Sequence, residues 1–212
     1  MCSGRVDLSF VIRAFASGMD GVFIGGCHLG ECHYLTDGNY HALGMVLLAG
    51  KIMERIGIDP GRIRIEGVSA GEGIRFAEIM NDFARTLGRM GPIGDGEGAE
   101  ARARGRKLAA LEKLVPYIRL VARERLRPPA RTEEAYRALY ASGETDRLIG
   151  ETIGDRITAG EMVSLLSDGP LTTGEMAEKL GLSPSEVSRH LKGSSRQGIV
   201  RYDPGLGRYS LA

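Results

Sequence analysis

Tryptophan is absent from this 212-residue sequence, and phenylalanine occurs only five times. Three cysteines are present, an odd number, and all fall within the first 32 residues. That pattern argues against the disulfide framework of a small secreted protein. No apolar run approaches the roughly 18–20 residues that cross a bilayer, so no membrane partner is expected. Met1-Cys2-Ser3-Gly4-Arg5 lacks the apolar core that follows the start of a secretory signal, and the expected location is the cytoplasm. An excess of one charge sign is missing too: 28 Lys and Arg stand against 27 Asp and Glu, a net charge of +1. The overall balance therefore does not point to a polyanion partner. Neither a Gly-x-x-x-x-Gly-Lys-Ser/Thr stretch nor a nucleophile elbow occurs, which argues against a P-loop ATPase and an elbow-type hydrolase.

Glycine is abundant at 31 residues, gathered around turns and one short stretch. That suits an α/β domain with tight connections, or a chain with flexible joints. Three regions are expected. In residues 1–93, Leu8 to Ala16 has apolar positions at three- and four-residue spacing and predicts a helix. Gly21-Val22-Phe23-Ile24-Gly25 reads as a buried parallel strand. Asn39 is expected to cap a helix from Tyr40 to Ile56, stopped by Gly57. Arg62 to Val68 alternates as a second strand. Ser69 is expected to cap a helix reaching Met90, with Glu72 at the capping-box spacing. Gly71-Glu72-Gly73 is a weak signal for an anion at that helix start, and simple capping is favoured. The order αβαβα predicts an α/β fold with a small open parallel sheet of flavodoxin or Rossmann type.

Residues 94–157 open on Gly94-Asp95-Gly96-Glu97-Gly98, expected to be a mobile linker. Helices follow over 99–126 and 132–142, separated by Pro128-Pro129. With 13 basic and 11 acidic residues in this region, both helix faces are expected to be charged and solvated. Leu108, Leu111, Leu114, Val115, Ile118 and Val121 nevertheless fall at helical spacing and predict a packing or partner helix. Residues 158–212 predict a winged helix: helices over 159–166, 172–180 and from Pro184 to about Gly193, then a hairpin turning at Asp203-Pro204-Gly205-Leu206-Gly207.

The segment Gly25-Gly26-Cys27-His28-Leu29-Gly30-Glu31-Cys32-His33-Tyr34 lies just past the end of a predicted strand, where sites in open α/β sheets are found. Two thiols five positions apart on a glycine-rich bend can turn inward together, and backbone N–H groups can approach their sulfurs. Cys2 precedes the first helix, and a preceding strand would bring it to the same sheet edge. Thiolates select zinc, copper or iron–sulfur clusters. The residue types alone leave zinc and iron–sulfur both open. His28 and His33 are candidate extra ligands or donors behind the ligands, weighed against solvated loop imidazoles.

These segments, with Gly38-Asn39-Tyr40 and Val68-Ser69-Ala70-Gly71-Glu72-Gly73 following in order, resemble the delta subunit of methyl-viologen-reducing hydrogenase over about residues 1–92. The resemblance implies a [2Fe–2S] cluster, with Cys2, Cys27 and Cys32 on positions of the family's cysteine set. It also implies an electron relay without bond-making chemistry of its own, in methanogenesis. Electrons would pass from a hydrogenase or formate dehydrogenase to the flavin subunit of heterodisulfide reductase. Family members begin with a further strand and a Cys-x-x-Cys-like segment ahead of Cys-Ser-Gly-Arg, and this chain starts at that motif. The expectation is therefore a missing N-terminal strand and an incomplete ligand set. A fourth ligand would come from a His, a partner, or an upstream piece lost from the gene model.

Ser185-Glu186-Val187-Ser188-Arg189-His190-Leu191-Lys192 reads like a recognition helix. Val187 and Leu191 face the core, and Ser185, Ser188, Arg189 and Lys192 face outward. Arg196, Arg201 and Arg208 are expected phosphate contacts from the wing. Residues 158–212 carry six basic and six acidic residues, and DNA affinity rests on an excess of basic groups. A compact tail that packs on partner subunits or does little is favoured over a DNA reader. A redox- or metal-sensing regulator and a zinc-stabilised adaptor are the alternatives to the electron relay.

Overall fold

The computed structural model describes residues 2–34, 38–93 and 99–212. The glycine-rich stretch 94–98 lies outside the described residues. The expected α/β architecture is present. Helix α1 (Leu8–Ala16) starts where the Asp7 carboxylate accepts the Ser9 N–H at 2.9 Å. It buries Leu8, Val11, Ile12 and Phe15, one stripe at i, i+3, i+4 and i+7. Strand β1 (Val22–Gly26), helix α2 (Asn39–Arg55) and strand β2 (Ile63–Gly67) form a β–α–β unit. The strands pair in parallel with Ile24 opposite Ile65. Gly57, at φ +82°, ends α2 where expected.

Side chains alternate across a strand, and the two faces of β1 are used differently. Ile24 joins α1 and α2 in the main core. Phe23 faces the other way, toward helix α3 (Gly73–Met90), and its ring lies 6.1 Å from that of Phe83. Arg64 of β2 holds Asp82 of α3 at 2.7 Å. Arg62 is buried and donates to the carbonyls of Asp20, Met90 and Gly91, which ties the end of α3 back to the start of β1.

Helix α4 (Ala99–Arg125) corrects one expectation. It is not solvated on both faces. Leu108, Leu111, Val115 and Ile118 are buried in the same core as α1. Their 3-4-3 spacing makes a single stripe, and the many charged residues occupy the remaining faces. Helices α5 (Glu133–Tyr140) and α6 (Gly143–Ile149) follow, and α6 was not expected. It runs through one π-helical turn, Gly150–Gly154, into α7 (Asp155–Ser167), which therefore starts earlier than its apolar pattern implied. The Arg55 guanidinium at the end of α2 packs on Gly150 and Gly154 of that turn.

The C-terminal part is a helix-turn-helix with a wing. Helices α8 (Thr173–Leu180) and α9 (Pro184–Arg196) each begin with a capping box, Thr172 with Glu175 and Ser183 with Glu186. Strands β3 (Val200–Asp203) and β4 (Arg208–Leu211) form the antiparallel hairpin. A second core of Met162, Leu166, Met176, Val187, Leu191 and Val200 holds these elements together. No described helix is long and apolar enough to cross a membrane.

Candidate metal centre

Cys2 is extended and begins a single 3-10 turn, Ser3–Arg5, in which its sulfur accepts the Gly4 N–H at 3.4 Å. The Ser3 side chain lies against Gly26, the last residue of β1. The turn, rather than a preceding strand, thus brings Cys2 to the same sheet edge as the Cys27–Cys32 bend. The Cys2 and Cys32 sulfurs are 3.7 Å apart. A disulfide would hold them at about 2.05 Å. Two thiolates on one tetrahedral ion, with metal–sulfur bonds of about 2.3 Å, stand about 3.8 Å apart. The observed spacing excludes a disulfide; it is that of two sulfurs in van der Waals contact, which two thiolates on one ion would also have.

Cys32 is buried, Cys2 partly buried and Cys27 exposed. The Tyr34 N–H, foremost, and the Asn39 N–H hydrogen-bond to the Cys32 sulfur, and the Cys2 and Cys27 thiols act in the same direction. Together they outweigh burial and hold this thiol below the usual range. The Asn39 N–H belongs to the first turn of α2, so the positive end of that helix also favours a thiolate here.

Asn39 corrects the sequence reading. Gly38 occupies the capping position, and Asn39 is the first helical residue. Its buried amide donates to the carbonyls of Cys27 at 3.1 Å and His28 at 2.7 Å. One side chain therefore satisfies two loop carbonyls next to the thiols. No local signal marks this role, since an Asn at a helix start reads as a cap. Gly38 has its own reason: a Cβ there would run into the Cys32 sulfur and the Tyr34 carbonyl.

His28 turns to Glu72, with Nε2 2.7 Å from a carboxylate oxygen that also accepts the Ser69 N–H at 2.7 Å. The Ser69 N–H, then His28, hold the Glu72 carboxyl below its ordinary range. Ser69 does not cap α3; Glu72 stands at that position, and its carboxylate makes no cap hydrogen bond but turns back to Ser69 and His28. His33 is exposed and lies edge-on to Tyr34, ring centres 5.3 Å apart. Among the described residues neither imidazole hydrogen-bonds a cysteine sulfur, and no three Cys, His, Asp or Glu side chains close around a metal ion by themselves. The donors fit the sulfur side of a metal or cluster, and they number three where a [2Fe–2S] cluster takes four.

On α9, Val187 and Leu191 are buried, and Ser185, Ser188, Arg189 and Lys192 are exposed, as predicted. Arg189 lies 3.8 Å from Asp155. Arg208 is corrected: it is not free for phosphate, because it forks onto both oxygens of Glu175 at 2.9 Å. Four of the six carboxylates are partnered or buried, while Asp168 and Glu178 are exposed. Glu175 holds Arg208, Glu186 caps α9, Glu161 is buried, and Asp203 accepts N–H groups in the wing turn. The outward face is left with Lys192, Arg196 and Arg201, which form no ion pair among the described residues.

A family model described as methyl-viologen-reducing hydrogenase, delta subunit, matches residues 1–91, and one described as bacterial regulatory protein, arsR family, matches residues 158–202. The chain is 48% identical over 92 residues to the iron-sulfur subunit of the F420-non-reducing hydrogenase of Archaeoglobus profundus, covering 43% of this chain and 66% of that protein. It is 34% identical over 92 residues to the vhu iron-sulfur subunit of the F420-non-reducing hydrogenase of Methanopyrus kandleri, covering 43% and 69%. A third match, 43% identical over 94 residues, is one polypeptide of the ferredoxin/F(420)H(2)-dependent CoB-CoM heterodisulfide reductase of Methanosarcina acetivorans, covering 44% of this chain and 12% of that one. The chain thus spans just under two thirds of the Archaeoglobus protein and a small part of the Methanosarcina one.

Proposed function

The chain belongs, through residues 1–91, to the methyl-viologen-reducing hydrogenase delta subunit family, and from that premise we propose that it is an iron–sulfur electron-transfer subunit. The proposed cofactor is a [2Fe–2S] cluster, with Cys2, Cys27 and Cys32 as ligands. The observation that carries this reading is the 3.7 Å spacing of the Cys2 and Cys32 sulfurs beside Cys27. Such a cluster, when bound, accepts and returns one electron. The chain's own residues do the rest. Asn39 fixes the bend through two carbonyls, and the His28–Glu72 pair ties the bend to the start of α3. The N–H groups of Tyr34 and Asn39 stabilise negative charge on the Cys32 sulfur, the kind of hydrogen bond that tunes a cluster's potential.

The proposed route runs from a hydrogenase or formate dehydrogenase to heterodisulfide reductase, with its flavin subunit as acceptor, in methanogenesis. Support comes from relatives of two kinds: free-standing hydrogenase subunits, and a heterodisulfide reductase polypeptide that contains a similar stretch. In this reading residues 1–93 carry the sulfur site, residues 94–157 brace it, and residues 158–212 dock a partner. The test is anaerobic purification followed by iron and sulfide analysis and electron paramagnetic resonance. The expected result is iron and sulfide in equal amounts with a one-electron signal on reduction. Cys32→Ser is expected to lose most of that iron. Iron-free, sulfide-free material, or zinc in its place, refutes the reading.

A second reading is a redox-sensing regulator that contacts DNA. The match of residues 158–202 to a regulator family and the basic outward face of α9 favour it. A salt-dependent gel shift that changes with the redox state of the thiols separates it from the relay.

A further inference from the structure

We infer that the open edge of strand β2 pairs antiparallel with β2 of a second copy of this chain, giving a dimer with its twofold axis at Ile65. This is independent of what the thiols hold. A sheet of two strands is marginal by itself, and β2 has a neighbour on one side only. The Val68 N–H donates to the Gly26 carbonyl at 2.8 Å, and Ile24 stands opposite Ile65. Successive residues of a strand turn their N–H and C=O to opposite sides, so Arg64 and Glu66 bond β1 while Ile63, Ile65 and Gly67 turn theirs to the open edge. The Ile63 N–H is taken by the Pro60 carbonyl. The Ile63 carbonyl, the N–H and C=O of Ile65 and the Gly67 N–H have no hydrogen-bond partner among the described residues.

A groove of about 500 Å3 borders Ile63 to Glu66. Leu43, Val46 and Leu47 of α2 and Tyr140 of α5 line it. Leu47 and Ile65 are only partly buried. Backbone groups without partners thus lie beside apolar surface, which is what an added strand uses.

The occupant follows from the register. A charged edge ordinarily repels a second strand. Here the strand reads Ile63-Arg64-Ile65-Glu66-Gly67, with opposite charges on the two sides of Ile65. A twofold axis at Ile65 sets Arg64 of each copy opposite Glu66 of the other. The two Ile65 residues exchange N–H and C=O, and each Gly67 N–H meets the other copy's Ile63 carbonyl. The Ile63 N–H, already used, is not needed. Arg64 and Glu66 then form the narrow pairs, where side chains come closest. An axis at Ile63 would instead set Arg64 against Arg62, so charge selects the register. Within one chain Arg64 already reaches Glu66 at 2.9 Å and Asp82 at 2.7 Å. The second copy extends that network on the α3 side, while Ile63 and Ile65 stay on the α2 side. The product is one four-stranded sheet shared by two chains.

The experiment is sedimentation of the full chain, kept anaerobic with reductant so that no disulfide joins two copies. The native chain is expected at twice its 22.8 kDa. Arg64→Glu and Glu66→Arg each put like charges across the axis. Each is expected to raise the dimer dissociation constant tenfold or more, with an unchanged circular dichroism spectrum. An equimolar mixture of the two variants restores opposite charges across the axis, and the dimer is expected to return as a heterodimer. Mixing cannot repair a fault confined to one chain. Hydrogen exchange at the Ile65 and Gly67 amides is expected to be slow in the native dimer, and it decides the matter if a variant fails to fold. A native chain that stays monomeric at millimolar concentration overturns the proposal. So does a dimer that neither variant weakens, a mixture of folded variants that stays monomeric, or a dimer with fast exchange at Ile65 and Gly67. A monomer whose Ile65 amide is protected only by another polypeptide overturns the second copy as occupant.

Discussion

Replacing Asn39 by leucine keeps its size and removes its amide. The side chain is 4% exposed and donates to the carbonyls of Cys27 and His28. Leucine offers neither donor, and water has little access to the space. Leaving a buried acceptor unpaired costs about 1–3 kcal/mol. Both carbonyls sit in a partly buried loop, so the low end of that range, about 1–1.5 kcal/mol, applies to each, and the sum is about 2–3 kcal/mol. For a protein of this size that loss lowers Tm by about 5–10 °C. The bend also loosens, so hydrogen exchange at residues 27–34 is expected to quicken by more than the global loss accounts for. The assays are urea denaturation followed by circular dichroism, and exchange read by mass spectrometry. Asn39→Asp makes a sharper second variant, because it aims a carboxylate at the same two carbonyls and is expected to cost at least as much. A loss under about 0.5 kcal/mol in both variants, the size of an ordinary surface change, would mean that the clamp carries nothing and the bend is held elsewhere.

Leu111→Ala, in the buried stripe of α4, is expected to cost about 2–5 kcal/mol, whereas Leu120→Ala on the exposed side stays within about 0.5 kcal/mol; parallel urea titrations compare them. Gly38→Ala forces a methyl group onto the Cys32 sulfur and is expected to reduce iron retention, measured as iron per chain after gel filtration. Glu175 has its carboxyl held low by the Thr172 N–H and then by Arg208. Its stabilising effect is therefore complete above the unfolded carboxylate range, about pH 4.3, and is lost as pH falls through the lower folded value. Glu175→Gln is accordingly expected to lower Tm at pH 7, with the gap to the native chain closing on acidification. If the regulator reading holds, Lys192→Ala and Arg196→Ala each reduce the slope of log affinity against log salt by about one. An unchanged slope in both removes that face from DNA binding.

Much of the secondary structure was legible because short-range chemistry decides it. Leu8, Val11, Ile12 and Phe15 mark α1 by their spacing alone, and Thr172 with Glu175 and Ser183 with Glu186 mark the starts of α8 and α9 by reciprocal capping. Helix α6 and the π turn before α7 were not legible. Their residues carry no clear apolar period, and their shape depends on Arg55 of α2 packing against Gly150 and Gly154. The two readings of α4 from sequence pulled apart: the apolar spacing that predicted a packing helix is borne out, and the charge count that predicted two solvated faces is not. Only the packing of that stripe beside α1 shows which faces remain wet.

The candidate site divides in the same way. The sequence by itself determined the candidate residues, because two thiols on a glycine-rich bend past a strand, with a third ahead of the first helix, suit a metal or redox site. The tertiary structure alone decided that Cys2 and Cys32 stand 3.7 Å apart, that Asn39 clamps the bend and that His28 serves Glu72. It also decided that Arg208 is held by Glu175, while Lys192, Arg196 and Arg201 stay exposed without an ion pair among the described residues. The physical reason is distance along the chain. Each of these pairings joins residues that are 11 to 44 positions apart, and no local pattern encodes which side chain a hydrogen bond or a sulfur will meet once the helices pack.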